Sequence, residues 1–229
     1  MSGWLQSPTT AEHIKFGSVL SADGKMFKSR SGDTVKLANL LQEAIKRAET
    51  VIDQQNPDLG QQERKEVAAS VGVGAVKYAD LSSERTRDYI FDFDQMLALE
   101  GNTAPYLQYA NARIRSILRQ VDELDDDVVH EAAGDVQISI QHQAERELAL
   151  QLLQFADVVE EVSESLLFHR LAGYLFNVAT AFSKFYSQCP VLKPQEASSR
   201  NSRVQICRTT SRVLTTGLSL LGIRAPERM

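Results

Sequence analysis

The sequence predicts a mainly α protein: an antiparallel helical bundle entered through a short strand and a charged loop. Apolar residues recur at three- and four-residue spacing through most of the chain after Leu37, the pattern of helices with one buried stripe. The breaks between stripes, at Pro57 and Gly60, Gly101, Pro190 and Pro194, are short, which suits antiparallel neighbours. The 229 residues, 43% hydrophobic and 24% charged, are enough to bury a sizeable core without staples.

In chain order, Ile14, Phe16, Val19 and Leu20 around Gly17 predict a short strand. If nothing covers it, Ile14, Phe16 and Val19 expose apolar surface and invite self-association. Residues 21–32 are rich in Gly, Ser and charge and predict a loop. Leu37, Leu40, Leu41, Ala44, Ile45 and Ala48 begin a helix that Asp33 and Thr34 can cap. After the break at 54–62, a helix resumes at Gln61 and runs past Ala79. Its glycines, Gly72 and Gly74, read as close helix packing rather than a phosphate loop, since the rest of a dinucleotide fingerprint is absent. Asp88 to Asp94 alternates apolar and acidic, as a short extended segment would; its aspartates fit no calcium-loop spacing.

Thr103 can cap the next helix and Pro105 suits its first turn. Tyr106, Ala110, Ile114, Ile117, Leu118 and Val121 form its stripe, while Tyr109 and Arg113 lie one turn apart on a different face, as do Arg115 and Arg119. One helix is expected from about 143 to 168, then a break at 171–173. The next carries Tyr174, Leu175, Val178, Phe182 and Phe185. The last, roughly 199–221, is stopped by Gly222.

Composition removes several function classes. No apolar run approaches the roughly 20 residues of a membrane span, and residues 1–10 lack the basic start and apolar stretch of a signal peptide; a cytoplasmic protein is expected. Cys189 and Cys207 make no disulfide framework and read as reduced, partly buried thiols. His13, His130, His142 and His169 have no partners at metal-ligand spacing, so no metal site is expected. The net charge of −5 argues against a generally basic nucleic-acid coat. A local basic face is still allowed, because phosphate attraction acts over roughly 8–10 Å. Acid is concentrated at 122–127, whereas Arg200, Arg203, Arg208, Arg212, Arg224 and Arg228 are opposed by Glu227 alone, a hint of where a polyanion sits.

The sharpest chemical signal is Gly24-Lys25-Met26-Phe27-Lys28-Ser29. Two lysines on a glycine- and serine-rich loop can place ammonium groups around a polyphosphate, where they stabilise the charge that develops as pyrophosphate leaves. The bland alternative is a solvated basic turn. The stretch resembles the second signature of class I aminoacyl-tRNA synthetases, Lys-Met-Ser-Lys-Ser, with Phe27 in place of the first serine. The flanks, His13 to Leu20 and Ser29 to Val35, are similar to arginyl-tRNA synthetases. So are Gly74 to Tyr78, Phe91 to Asp94, Glu100 to Ala110, Arg113 to Ile117 and Leu220 to Met229.

That resemblance implies residues 1–35 as the end, a short remnant, of an α/β catalytic domain. Residues 36–100 become a helical connecting region contacting the tRNA stem, and 101–229 an anticodon-binding helical bundle. It carries ATP-side roles onto Lys25 and Lys28, with Ser29 in the same nucleotide-binding loop. It carries tRNA contacts onto Tyr109, Arg113, Tyr186 and Met229, in keeping with stacking on unpaired bases and guanidinium–phosphate contact. The bland alternatives are half-buried core tyrosines and a frayed terminus. The implied substrates are arginine, ATP with accompanying Mg2+, and an arginine-accepting tRNA, with no membrane or DNA partner. No His-x-Gly-His signature occurs in these residues, so the chain by itself is expected to be catalytically inactive. The competing functions are a stand-alone tRNA- or RNA-binding paralogue and a non-catalytic helical scaffold.

Overall fold

The computed structural model describes residues 13–21, 23–26, 36–124, 138–192 and 197–229. Helices dominate. A short strand β1 (Val19–Leu20) is followed by α1 (Leu37–Gln55) and α2 (Gln61–Ser82). A second strand β2 (Tyr89–Ile90), a single turn α3 (Phe93–Met96) and then α4 (Ala104–Leu124), α5 (Gln143–Leu153), α6 (Phe155–Ser165), α7 (Phe168–Gln188) and α8 (Ala197–Leu220) complete it.

β1 and β2 pair in parallel, Val19 with Tyr89 and Leu20 with Ile90. The seam extends beyond the strands: Gly17 N donates to Arg85 O (2.6 Å) and Ser18 N to Asp88 Oδ1 (2.6 Å). Val19 packs against the core beneath, but Phe16 is 86% exposed and Ile14 37%, so the expected apolar edge is real at those two positions.

Two cores organise the helices. The first joins Ala48 and Ile52 of α1 to Val67, Ala68, Val71 and Ala75 of α2, with Phe91, Met96 and Leu97 from the segment that follows. The second is the bundle proper, with Leu107, Ile114 and Ile117 of α4 against Leu148 of α5, Leu175, Val178 and Phe182 of α7, and Leu214 and Leu218 of α8. Side chains of α2 enter both cores. Tyr78, 1% exposed, reaches the second, its hydroxyl 2.9 Å from Ala172 O and 2.6 Å from Asn102 Oδ1, and burial pushes that phenol well above its usual range. Gly72 permits the first: a Cβ there would lie 2.6 Å from Ile45 N and 2.7 Å from Ala44 C, so α1 and α2 touch backbone to backbone.

Most caps follow the local sequence. Thr103 Oγ1 accepts from Tyr106 N (3.2 Å) and Asp92 caps α3. Gly222, at φ +67, closes α8, with Ile223 N donating to Leu218 O and Gly222 N to Ser219 O, a left-handed glycine cap. The cap expected at Asp33 and Thr34 lies outside the described residues; α1 starts after Lys36 without a side-chain cap.

Three expectations are corrected. The single helix of 143–168 is two, α5 and α6, because Tyr174 Oη donates to Gln151 O (2.8 Å), the same carbonyl that accepts from Gln154 N, and the chain turns there. The break expected at 171–173 falls instead at 166–167. Leu166 takes the left-handed conformation (φ 55), its carbonyl held by Arg85 Nη1 (3.0 Å). α7 runs unbroken through Gly173 because Leu171 and Ala172 are buried in the bundle core. Cys189 and Cys207 are free, and both are fully buried rather than partly so. Among the described residues no helix is long and apolar enough to cross a membrane.

Candidate nucleic-acid interface

α4 and α7 meet through their stripes, and that contact places three side chains together on the surface. Tyr106 Oη and Ser183 Oγ lie 3.3 Å apart and the Tyr106 and Phe176 rings 5.7 Å apart, which sets the register of the two helices. One turn along α4, Arg113 lays its guanidinium 4.9 Å over the ring of Tyr109, and its Nη2 donates to Tyr109 Oη at 3.1 Å. From α7 the ring of Tyr186 comes within 5.6 Å of the same guanidinium. Tyr186 is 41% exposed yet stacked on Phe182, with centroids 6.1 Å apart and planes at 22°; Phe182 is itself 1% exposed. Tyr109 and Arg113 are half-buried.

The result is a π-rich surface with one central positive charge. Among the described residues Arg113 has no carboxylate partner. Its charge meets the two tyrosine rings and the Tyr109 hydroxyl, an attraction of about 0.5–1 kcal/mol per ring at exposed sites. Such a surface offers flat faces to planar groups and a guanidinium to an anion.

The remaining expected site residues lie elsewhere. Met229 is not a frayed end: its carbonyl accepts from Asn56 Nδ2 (3.4 Å) and its side chain packs on the first core, apart from the bundle core that carries the tyrosines. The tail leading to it is strapped between α2 and α4. Gln108 Nε2 donates to Arg224 O (2.6 Å), Lys77 Nζ to Gly222 O (2.6 Å), and Arg115 pairs with Glu227 (3.1 Å). Gln108 is fully buried, and no periodicity marked this polar residue as the peg for the tail.

In the lysine loop, Gly24 at φ +72 lets the chain double back, and Leu20 and Met26 form an antiparallel bridge. Ser21 Oγ donates to Lys25 O (2.7 Å). Lys25 Nζ stands 3.1 Å from Asp23 Oδ2, with 74% of the lysine side chain exposed. Hydrogen bonds from Ser21 and Lys25 hold the Asp23 carboxyl below its usual range. Lys28 and Ser29 lie outside the described residues. Asp88, Asp92 and Asp94 are used structurally, on Ser18 N, on the cap of α3 and on Arg47 (3.1 Å). His142 caps α5, its Nδ1 accepting from Ala144 N at 3.1 Å.

Comparison with known proteins adds the family. Residues 107–229 match the DALR anticodon binding domain, and residues 1–93 match the catalytic domain of class I tRNA synthetases (R). An arginine–tRNA ligase of Laribacter hongkongensis is 48% identical over 228 residues, covering 100% of this chain and 38% of that protein. One from Thermobifida fusca is 48% identical over 230 residues with the same coverage. The chain thus spans 38% of the length of these curated relatives. Among solved structures, the Thermus thermophilus arginyl-tRNA synthetase superposes with a TM-score of 0.82 at 33% identity, over 95% of this chain and 35% of that one. The Plasmodium falciparum arginyl-tRNA synthetase gives 0.72 at 30% identity, over 95% and 35%.

Proposed function

The chain belongs to the DALR anticodon-binding domain family and corresponds to the C-terminal portion of arginyl-tRNA synthetases; on that premise we propose that its bundle takes the unpaired anticodon loop of an arginine-accepting tRNA. The observation that carries this is the Tyr109–Arg113–Tyr186 cluster. Sequence-specific RNA recognition works on unpaired bases that stack on aromatic or guanidinium faces and are read at their edges. Each such stack is worth about 1–3 kcal/mol. Phe182 holds Tyr186 in place before any base arrives, which lowers the ordering cost of binding. Arg113, unpaired with any described carboxylate, is available to a loop phosphate. Met229, seated on the first core, is assigned to the same RNA through the resemblance.

In the longer enzyme, Lys25, Lys28 and Ser29 serve the ATP side of arginyl-adenylate formation. The arginine carboxylate attacks the α-phosphorus of ATP, pyrophosphate leaves, and a tRNA ribose hydroxyl then displaces AMP to give arginyl-tRNA. The exposed Lys25–Asp23 pair is of the weak kind, so Lys25 can exchange that partner for a polyphosphate. Among the described residues no three His, Cys, Asp or Glu side chains gather as a metal site. Through the resemblance, magnesium would accompany ATP in the longer enzyme.

The test is RNA binding by the chain and by Tyr186→Ala, measured by fluorescence anisotropy with an arginine anticodon stem-loop and an unrelated stem-loop. Wild type should prefer the arginine loop, and Tyr186→Ala should weaken that complex by about 1–3 kcal/mol, roughly 5- to 150-fold. Equal affinity of wild type for both RNAs would refute anticodon recognition.

A further inference from the structure

On the flank of α4 away from the tyrosines, α4 and α8 enclose a second surface of different character. It is an open groove of 490 Å³ lined by Arg115, Asp122, Arg208, Arg212, Thr215 and Thr216, among others. On α8 the spacing of Arg208, Arg212, Thr215 and Thr216 puts them on one helical face. Two guanidinium groups four residues apart repel each other along a helix, and the internal partners here are incomplete. Arg208 stands 3.5 Å from Asp122 with both side chains about half exposed (49% and 60%), and Arg115 pairs with the exposed Glu227. Arg212 is exposed and has no carboxylate partner among the described residues. Arg115 Nε is buried without a hydrogen-bond partner. In a chain of net charge −5, this is a cationic groove with the exposed Thr216 hydroxyl at its edge, while Thr215 donates its own proton to Ser211 O.

The arginine excess of residues 200–228 is thereby resolved into parts. Arg203 is internal, its Nε donating to buried Glu145 (2.7 Å) and its Nη1 to Pro190 O (2.8 Å). Arg228 approaches Glu63 (3.9 Å). Arg208 and Arg212 face the groove.

We propose that this groove holds backbone phosphates of the RNA whose loop stacks on Tyr109 and Tyr186; the inference rests on that reading of the tyrosines. Arg113 and Arg115 are two residues apart on α4, so they point to nearly opposite sides of the helix at almost the same height, separated by its width of about 10–12 Å. Unpaired bases on one flank and the adjoining backbone on the other would straddle α4. Guanidinium forks and the Thr216 hydroxyl suit phosphate oxygens. Contacts of this kind fix orientation and carry no sequence information. The exposed pairs to Asp122 and Glu227 are weak enough to exchange for phosphate.

The experiment is a salt titration of RNA affinity by fluorescence anisotropy. It uses the full chain with an arginine tRNA transcript and an unrelated tRNA transcript, comparing wild type, Arg212→Gln, Arg212→Lys, Arg208→Gln/Arg212→Gln and Tyr186→Ala. Each lost phosphate contact should flatten the slope of log affinity against log salt by roughly 0.7–0.9. Affinity for the two tRNAs should fall by the same factor, and Arg212→Lys should restore the slope. Tyr186→Ala should instead erode the preference between tRNAs and leave the slope. An unchanged slope in the double variant, with Tyr186→Ala still losing preference, overturns the groove and leaves the stacking surface standing. A slope flattened in the double variant, alongside a wild type that shows no preference between the tRNAs, supports the groove and overturns anticodon recognition. Absence of binding to either tRNA overturns both. The arginines are exposed, and far-UV circular dichroism checks that the variants keep the fold.

Discussion

Replacing Gly72 by alanine drives a methyl group into the backbone of the neighbouring helix. The new Cβ would stand 2.6 Å from Ile45 N and 2.7 Å from both Ala44 C and Ile45 Cα. Carbon contacts settle at about 3.5–4.0 Å, so α1 and α2 must part by about 1 Å along most of the first core. Overpacking of this kind costs about 1–3 kcal/mol. It falls toward the upper end here because backbone cannot rotate away as a side-chain tip can. Alanine's advantage over glycine in a helix returns about 0.5–1 kcal/mol. The net expectation is a loss of about 1–2 kcal/mol, or a fall of about 2–8 °C in Tm for a chain of this size. Gly173 is the internal control. It too lies within a helix, α7, but a Cβ there meets nothing within 4 Å, so Gly173→Ala should gain about 0.5–1 kcal/mol. Urea and thermal unfolding followed by circular dichroism measure both. If Gly72→Ala is as stable as wild type, or shifts in the same direction as Gly173→Ala, backbone contact between α1 and α2 is not what this glycine provides.

Glu145→Ala removes the carboxylate that accepts from Gln141 N (2.7 Å), His142 N (3.0 Å) and Arg203 Nε (2.7 Å), leaving a nearly buried guanidinium short of a partner; urea unfolding should show a loss of about 3 kcal/mol. Burial alone raises the Glu145 pKa, but those hydrogen bonds and the Arg203 charge outweigh it and hold the value below the usual one. Its contribution is therefore complete above the ordinary glutamate pKa and disappears as pH falls through the lowered folded value, so the gap between wild type and Glu145→Ala should narrow on acidification. Gln108→Ala should free the tail held at Arg224 O, raising susceptibility to carboxypeptidase; unchanged digestion would mean the strap does not depend on this residue. Burial pushes the Cys207 thiol up to about 12 and raises Cys189 as well, so a disulfide exchange reagent at pH 8 should titrate both thiols only after unfolding.

Much of the helical layout was legible in the sequence, and the misses share one cause. The starts of α2 and α4 and the stop at Gly222 follow from local chemistry: a break at Pro57 and Gly60, the Thr103 hydroxyl, and a glycine free to turn left-handed. The division of α5 from α6 was not legible, because it depends on Tyr174, distant in sequence, taking the carbonyl of Gln151. Gly173 looked like a breaker because its neighbours' burial is not written in their spacing. Gly72 was legible as a packing glycine, though its partner, the backbone at Ala44 and Ile45, was not.

The candidate site divides in the same way. One-turn spacing put Tyr109 and Arg113 on one face of a helix, and the lysine pattern marked the loop around Lys25, since both signals act within a few residues. Tertiary structure decided that Tyr186 closes over the same guanidinium, that Phe182 backs it, that Met229 seats on the other core, and that Arg212 faces a groove while Arg203 is tied to the buried carboxylate of Glu145. Sequence periodicity determines which face of each helix seeks the interior. Which faces then meet is set by the packing of side chains far apart along the chain, and no local pattern carries that information.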